Sequence, residues 1–598
     1  MTDTTEPSAR RPRTLALFAE WVGERYASHP ALRFRAADGT WTSLSYTDLR
    51  DTVRRTARAL LGLGVRPGDR VAILAETRPE WTYAHLACLA AGAVVVPIYP
   101  TAGEEEVEWV LKDSGARVVL CEDERQAACV EALRPRLPRL GELRLLCATG
   151  GPTGARGTAR QAPTDPQPKA KPSPAWAVLG EGANAPLDHL LATQKAVRPE
   201  DPATLVYTSG TTGPPKGCRL THANLGAVQD ATLPLTEGGP GDRTYLYLPL
   251  AHLLAQLIQF STLLYGGELC YFGGRVEDVV KELAEAQPTH LPSVPRLFEK
   301  VHQSVLALAE SRPDGRARFE EAVRIGVLAA DGELPPELRE AHAAADKELF
   351  ALVRAAFGGR LRWALTGGAP IAPAVLDFLR ATGIAVFEGY GMTESAGVIT
   401  LNHPGAVRYG TVGRPVEGCE VRIAGDGEVL ARGANVFSGY HADPAGTAEA
   451  LDADGWLHTG DLGALDHDGF LTITGRKKDL IITSAGKNLT PSEVELAIER
   501  SRFVSHAVMI GDRRPYPVAL ITVEPEEVAG KDAAAVRALV QEAVDEANAR
   551  VSRPARIRAF AVLDEDFTIE SGVLTPTLKV RRRAVAERYA AEIERLYE

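Results

Sequence analysis

A layered α/β protein with a second, smaller α+β domain is what this sequence predicts. Three observations carry the expectation. Short apolar runs of strand length alternate with helix-periodic segments from residue 46 onward, which argues for mainly parallel sheets covered by helices. The chain is 598 residues long, too long for one ordinary domain. Beyond Gly475 the texture changes to turns, strands and an Ala-rich helix over about 120 residues, the size of an independent domain.

The elements follow in order. Residues 46–63 place Leu49, Val53, Ala57, Leu60 and Leu61 at helical spacing. Gly68-Asp69-Arg70 turns the chain into the strand Val71–Leu74. A helix begins at Glu80 and leads to a strand at Val94–Ile98. The apolar stretch Leu86–Tyr99 is about 14 residues, shorter than the roughly 20 of a membrane span, so it reads as a core helix running into a strand. Glu104–Lys112 has acids in its first turn and reads as a helix, and Ala116–Cys121 as a strand. Residues 150–186 are rich in Pro, Gly, Ala and polar side chains and read as a flexible insertion. The C-terminal part reads as a helix at 491–501, strands at 506–510 and 518–523, a long helix and a basic tail. The division is therefore 1–475 and 476–598.

Composition excludes several classes. Hydrophobic residues make up 45% and charged residues 24%, the balance of a folded globular protein. There are 67 basic and 78 acidic residues, net −11, which disfavours sequence-independent binding to nucleic acid. Seven cysteines at 88, 121, 129, 147, 218, 270 and 419 form no CxxC pair. They suggest reduced thiols in a cytoplasm, neither a disulfide framework nor a zinc site. The N-terminal residues hold no apolar stretch of signal-peptide length.

The most informative segment is LVYTSGTTGPPKGCRLTHANL, residues 205–225. An apolar strand enters a loop of glycines and hydroxyls with no acid, followed by Lys216. Glycines let backbone approach an anion, and N–H and O–H groups donate to phosphate oxygens. The Walker pattern GxxxxGK[ST] does not fit, because Pro215 stands where its second glycine should be and Gly217 where its Ser or Thr should be. Taken singly, each candidate residue elsewhere has a plain structural role: Tyr390 a core aromatic, Glu394 a surface acid, Asp461 a turn residue.

Ordered motifs change that. TSGTTGPPKG resembles the phosphate-binding signature of the adenylate-forming, acyl-activating ligases. In sequence follow LPLAH (248–252), THLPSVPRLFEKV (289–301), TGGAP (366–370), EGYGMTES (388–395), GWLHTGDLG (455–463), GRKKDLIITSAGKNLTPSEVE (475–495) and LTPTLKVRRR (574–583). The GRKK and SAGKN forms are most similar to the bacterial long-chain fatty acid–CoA ligase branch. The resemblance implies a two-step reaction. A fatty acid carboxylate attacks the α-phosphate of ATP, giving acyl-AMP and pyrophosphate, and coenzyme A then displaces AMP. Such chemistry is mostly positioning and charge neutralisation.

The resemblance also implies roles. Thr208, Ser209, Gly210, Thr211, Thr212 and Gly213 would cradle the β- and γ-phosphates, with Lys216 part of that loop. Glu394 would be the Mg²⁺-side carboxylate, since Mg²⁺ takes one or two carboxylates plus phosphates and water. Thr393 would touch phosphate oxygens. Glu388, Gly389, Tyr390 and Gly391 belong to the nucleotide side, with Tyr390 stacking on adenine. Gly367, Gly368 and Ala369 would wall the adenine and acyl groups. Asp461 would accept from the ribose hydroxyls, and Arg476 would hold ribose and phosphate. Lys579 would stabilise the charge developing during adenylation, a contact worth about 3–4 kcal/mol. Lys478 would be the pivot on which a C-terminal lid rotates between the two steps. His252 would line the acyl carboxylate, and Lys487 is a further candidate beside AMP. The apolar segment 248–271 could line an acyl tunnel or simply pack as a core helix.

ATP, Mg²⁺ and coenzyme A are thus the expected cofactors and co-substrates, with a cytoplasmic enzyme touching membrane surfaces transiently. Rival expectations are another acid, aryl or medium-chain, a carrier-protein thiol as acceptor, or a non-catalytic acyl- or nucleotide-binding protein.

Overall fold

The computed structural model describes residues 11–36, 38–146, 179, 184–208, 214–275, 278–484, 487–568, 571–575 and 579–598. The expected insertion at 150–186 lies outside the described residues except at 179 and 184–186.

Two large sheets form the N-terminal part. The six-stranded sheet has the order Glu142–Leu145, Val118–Cys121, Arg70–Leu74, Val94–Ile98, Pro202–Thr208, Lys216–Thr221, parallel except for the last pair. The nine-stranded sheet runs Arg414–Pro415, Thr400–Leu401, Ala385–Tyr390, Trp363–Gly367, His290–Ser293, Arg243–Leu246, Glu268–Tyr271, Pro30–Arg35, Trp41–Ser45. Its middle strands are parallel and its edges antiparallel.

Strand alternation explains the layering, because successive side chains point to opposite faces. Val71 and Ile73 join one apolar cluster, whereas Ala72 and Leu74 join another. The first cluster lies between the two sheets and takes in the helices Phe18–Arg25, Tyr46–Gly62, Pro79–Ala90 and Leu253–Leu264. The second is closed by Glu104–Ser114 and Glu124–Leu133, and a third, behind the nine-stranded sheet, by Val279–Ala286, Pro295–Glu310 and Pro373–Ala381. The layers therefore run helix, sheet, helix, sheet, helix. The helix at Tyr46 starts where it does because Ser45 and Asp48 form a reciprocal capping box.

A four-stranded antiparallel sheet, Cys419–Ile423, Glu428–Gly433, Leu457–Leu465 and Leu471–Arg476, follows. The C-terminal part is built on a three-stranded sheet, Val504–Ile510, Val518–Val523 and Phe560–Val562. Ala507 and Met509 on one face pack with the helices Pro491–Ile498 and Ala533–Arg550. Val508 and Leu520 on the other face meet the helices Arg582–Arg588 and Ala590–Arg595. This core is its own, and charged pairs join it to the larger part: Arg296 to Glu524 at 2.9 Å and Arg502 to Glu310 at 3.6 Å. No helix among the described residues is long and apolar enough to cross a membrane.

Candidate active site

The crevice opens at the C-terminal ends of the nine-stranded sheet's parallel strands. Two adjacent strands end in glycines there, with Gly367 paired to Gly389. A β-carbon on Gly367 would come within 3.0 Å of the Gly389 carbonyl oxygen, so the glycine lets the two backbones run close. Gly368 follows with φ +80°, turning the chain into the exposed Ala369. Gly391 lies against the backbone of Gly397, which a β-carbon would meet at 2.4 Å. That contact folds Thr393–Ser395 into a single tight turn, with Glu394 buried in it.

Asp461 is the best-held acid of the crevice. It is 2% exposed. One carboxylate oxygen accepts from the Tyr390 phenol at 2.6 Å and the other from Arg476 Nε at 3.0 Å. Asp461 and Arg476 stand opposite each other on neighbouring antiparallel strands, so sheet register brings the pair together. Each oxygen keeps lone-pair capacity for a further donor, such as a hydroxyl. Tyr390 therefore holds Asp461 through its hydroxyl in addition to presenting an aromatic ring. Burial and then the Asp461 charge push its phenol well up.

Lys579 projects into the same space. Its loop is closed by Thr575 N–H donating to the Lys579 carbonyl at 2.8 Å and Lys579 N–H donating to Thr575 Oγ1 at 3.0 Å. The side chain reaches water, yet protein surrounds it on most sides, as expected in a solvent-filled crevice. Loss of bulk solvation, then the Arg476 charge, move its ammonium below the ordinary lysine value. Lys478 is exposed and shifts the same way for the same two causes, with Asp461 and Glu394 acting in opposition. Its neighbour Lys477 points elsewhere and pairs with Asp426 at 2.6 Å and Glu428 at 3.2 Å.

His252 caps the helix Leu253–Leu264, its Nδ1 accepting from Leu254 N–H at 3.2 Å. Loss of solvation, then the Lys579 charge, lower its pKa to about 4. The ring is thus neutral at pH 7, and because Nδ1 accepts, its proton sits on Nε2 as a donor. Glu388, beside Gly389, accepts from Gly410 N–H at 3.2 Å, and burial raises it to about 7.

Of the expected phosphate loop, Thr208 ends the strand Pro202–Thr208 and pairs with Lys216, while Ser209, Gly210, Thr211, Thr212 and Gly213 lie outside the described residues. Lys216 Nζ lies 3.3 Å from the Asp443 carboxylate and 5.1 Å from the centre of the Tyr440 ring. Tyr440 in turn donates to Glu394 Oε1 at 2.7 Å. A β-carbon on Gly446 would come within 2.5 Å of Lys216 Nζ, so the ammonium rests directly on that backbone. Sequence reasoning missed Tyr440, Asp443 and the buried Cys218 beside Glu394. The one readable signal was Asp443-Pro444, an N-cap followed by proline that starts the helix Pro444–Ala450. Lys487 is not drawn in: it is exposed, and its recorded bonds are backbone ones with Thr483.

Two residues back along the same strands from the paired glycines, Leu365 and Phe387 line an apolar cavity of about 80 Å³. The helix Leu253–Leu264 presents Leu254, Leu257, Ile258 and Ser261 to it, and the strands present Trp363, Leu365 and Phe387. The other faces of these elements pack in the cores, with Phe260, Leu263 and Leu264 on the helix and Ala364 and Val386 on the strands. The segment 248–271 is both things sequence allowed, a core helix on one face and a cavity wall on the other.

The described residues offer no cluster of three or more His, Cys, Asp or Glu side chains suited to a metal. The buried carboxylate of Glu394 at the crevice fits a Mg²⁺ ion held largely by phosphates and water, and not an all-protein cage.

Comparison with known proteins decides the family. The AMP-binding enzyme family model matches residues 18–441, and the AMP-binding enzyme C-terminal domain matches residues 478–598. The chain belongs to the AMP-binding, adenylate-forming enzymes. It is 40% identical over 588 residues to the long-chain-fatty-acid–CoA ligase FadD15 of Mycobacterium tuberculosis, covering 94% of each chain. It is 32% identical to the long-chain-fatty-acid–CoA ligase ACSBG2 of Xenopus laevis, covering 97% of this chain and 83% of that one. Among solved structures, the adenylation domain of a carboxylate reductase from Mycobacterium chelonae superposes with a TM-score of 0.75 at 23% identity, covering 99% and 92% of the two chains. The o-succinylbenzoate CoA synthetase of Bacillus subtilis, solved with its acyl-adenylate intermediate, gives 0.66 at 23% identity, with 95% and 97% covered. The fold of this AMP-binding enzyme is therefore that of the adenylate-forming ligases.

Proposed function

We propose that this AMP-binding enzyme activates a long-chain fatty acid with ATP and passes the acyl group to coenzyme A. The observation that carries this reading is the junction at Gly367 and Gly389, two residues beyond the cavity-lining Leu365 and Phe387, between an apolar cavity suited to an alkyl chain and a charged cluster suited to a nucleotide. The FadD15 and ACSBG2 relatives support the same substrate class.

In the first step the acid lies with its chain in the cavity and its carboxylate at the glycine junction. His252 Nε2–H donates to a carboxylate oxygen and orients it. Asp461 accepts from the ribose hydroxyls, Arg476 backs the ribose and α-phosphate, and Tyr390 offers its face to adenine. Attack by the carboxylate oxygen on the α-phosphorus forms the acyl-AMP mixed anhydride, and pyrophosphate leaves. Lys579 meets the negative charge that builds on the α-phosphate oxygens. Thr208, Thr393 and Lys216 serve the phosphates that depart. Glu394 would hold Mg²⁺, which supplies charge neutralisation between the phosphates when bound.

In the second step the C-terminal part rotates about Lys478 and withdraws Lys579, admitting the thiol. The thiolate attacks the acyl carbon, AMP leaves and the thioester forms. The cytoplasm fits the free thiols, and a substrate of this kind would bring the enzyme to membrane surfaces transiently.

The test is turnover of purified enzyme with ATP, Mg²⁺ and coenzyme A against acids from acetate to octadecanoate and aryl acids, following AMP and thioester together. Matched release of both on alkyl acids of twelve or more carbons is expected. AMP without thioester would point to another acceptor, and turnover confined to aryl or short acids would contradict the reading.

A further inference from the structure

We infer that Trp363, with Tyr265 and His290, forms a fixed floor to the acyl cavity and sets the chain length this enzyme prefers, near twelve to fourteen carbons. The inference rests on the fatty-acid reading above and adds a limit to it.

The floor lies at the end of the cavity away from the nucleotide. The strand Trp363–Gly367 runs toward the crevice, and alternation puts Gly367 on the same face as the cavity-lining Trp363 and Leu365, with Gly367 on the crevice side and Trp363 at the depth. The helix Leu253–Leu264 runs the other way, with the His252 cap at the crevice and Tyr265 just past its far end. Both far ends meet at one imidazole. The His290 ring lies 4.6 Å from the Trp363 ring and 5.8 Å from the Tyr265 ring, and all three residues line the cavity.

Two independent rulers give the depth. Four strand residues from Gly367 to Trp363, at about 3.3 Å each, come to about 13 Å. Eleven residues from Leu254 to Tyr265, at about 1.5 Å each, come to about 16 Å. An extended alkyl chain advances about 1.3 Å per carbon, given a C–C bond near 1.5 Å in zigzag. The depth therefore takes about ten to twelve methylenes. The carboxyl carbon and its neighbour, at the glycine junction, bring the total to about twelve to fourteen.

Walls and floor differ in how far they can yield. The cavity as it stands, about 80 Å³, is below the roughly 300–1,000 Å³ of ordinary ligand sites, so an entering chain must displace side chains. Leu254, Leu257, Ile258 and Leu365 on the walls are aliphatic and held by packing alone, so a change of rotamer widens the space. The floor is tied down. Trp363 Nε1–H donates to the Thr236 carbonyl at 3.2 Å, and the Tyr265 hydroxyl bonds Thr244 Oγ1 at 2.8 Å. The Tyr265 ring is also boxed by glycines: a β-carbon on Gly238 or Gly267 would come within 2.5 Å or 2.3 Å of it. Width can therefore adapt to a chain while depth stays fixed.

The experiment is kcat/KM for thioester formation across saturated acids from C8 to C20, with the parent enzyme and with Trp363→Ala, Trp363→Leu and Leu365→Trp. In the parent, kcat/KM should climb about fourfold per carbon, the increment for burying one methylene, and stop climbing at C12–C14. Trp363→Ala and Trp363→Leu should move the optimum to longer acids and raise the C18 to C12 ratio at least about tenfold, with KM for ATP unchanged. Leu365→Trp, two residues nearer the mouth, should move it down by about five carbons. A parent profile still rising at C18, or an active Trp363→Leu with the parent's profile, would overturn the floor. Trp363→Ala that fails to fold leaves both of these readings intact as tests. Thioester from no acid at all would instead sink the fatty-acid reading and the inference with it.

Discussion

The two ends of the crevice are built by different physics. At the charged end, side chains come from strand edges and loops, and three of them are fixed by specific partners: Asp461 by Tyr390 and Arg476, Glu394 by Tyr440, Lys216 by Asp443. At the acyl end, aliphatic side chains come from the interiors of regular elements and are fixed only by packing. The first kind of site is specific in direction and intolerant of small changes, because a charge in a sheltered crevice that loses its partner is costly. The second kind is forgiving in width, because hydrophobic contact is non-directional. Direction is thus fixed at the charged end, and at the apolar end width is what can yield.

This contrast predicts that changes at one end leave the other's readout alone. Asp461→Asn weakens the pairing with Arg476 and the acceptor for ribose, and should lower kcat/KM for ATP about 10–100-fold, as expected for hydrogen bonds to a charged group. The chain-length profile, measured as relative kcat/KM across acids, should stay the same. If the profile moved as well, the two ends would be one coupled unit. Tyr440→Phe removes only the hydrogen bond to Glu394 and should cost about tenfold in the Mg²⁺ requirement of ATP–pyrophosphate exchange. Asp443→Asn breaks a half-exposed pair with Lys216. Such pairs are worth up to about 1 kcal/mol, so KM for ATP should rise no more than about fivefold, and the effect should vanish in a Lys216→Gln background.

Proton chemistry sharpens the same comparison. In the proposed mechanism Lys579 acts as an ammonium, and its pKa is moved below the ordinary lysine value by lost solvation and by Arg476. Adenylation should therefore fall on the alkaline side at a lower pH than an unperturbed lysine would give. Lys579→Arg, charged throughout, should abolish that limb even at reduced activity. His252 is already neutral above about pH 4. The pH profile of adenylation should accordingly lack an inflection near 6.5, where an unperturbed imidazole would titrate.

Legibility in the sequence followed the same division. The charged cluster was readable as a set of candidates because its residues sit in short contiguous motifs, and Asp461 and Arg476, which register pairs, are fifteen residues apart across one hairpin. The helix at 46–62 and the strands at 70–74 and 94–98 were likewise readable from local periodicity, and they lie within a residue or two of expectation. Tyr440 and Asp443 were not, because their partners Lys216 and Glu394 lie about 230 and 46 residues away and only the fold brings them together. The cavity was half legible. Apolar spacing in Leu253–Leu264 announces a buried helix but not which face packs and which lines a space. That is decided by Trp363, Leu365 and Phe387, on strands about a hundred residues further along. Lys487 shows the converse: a motif position whose hydrogen bonds among the described residues are those of its backbone with Thr483.

The most direct test of the account separates the two half-reactions of Lys579→Ala. ATP–pyrophosphate exchange with dodecanoate reports adenylation, and conversion of preformed dodecanoyl-AMP with coenzyme A reports thioester formation. Exchange should fall by about 10²–10³, the loss expected for one charge-stabilising contact in the transition state, while thioester formation continues at the parent rate. Equal loss in both half-reactions, or exchange that survives the substitution, would contradict the placement of Lys579 as the group that serves adenylation and then withdraws.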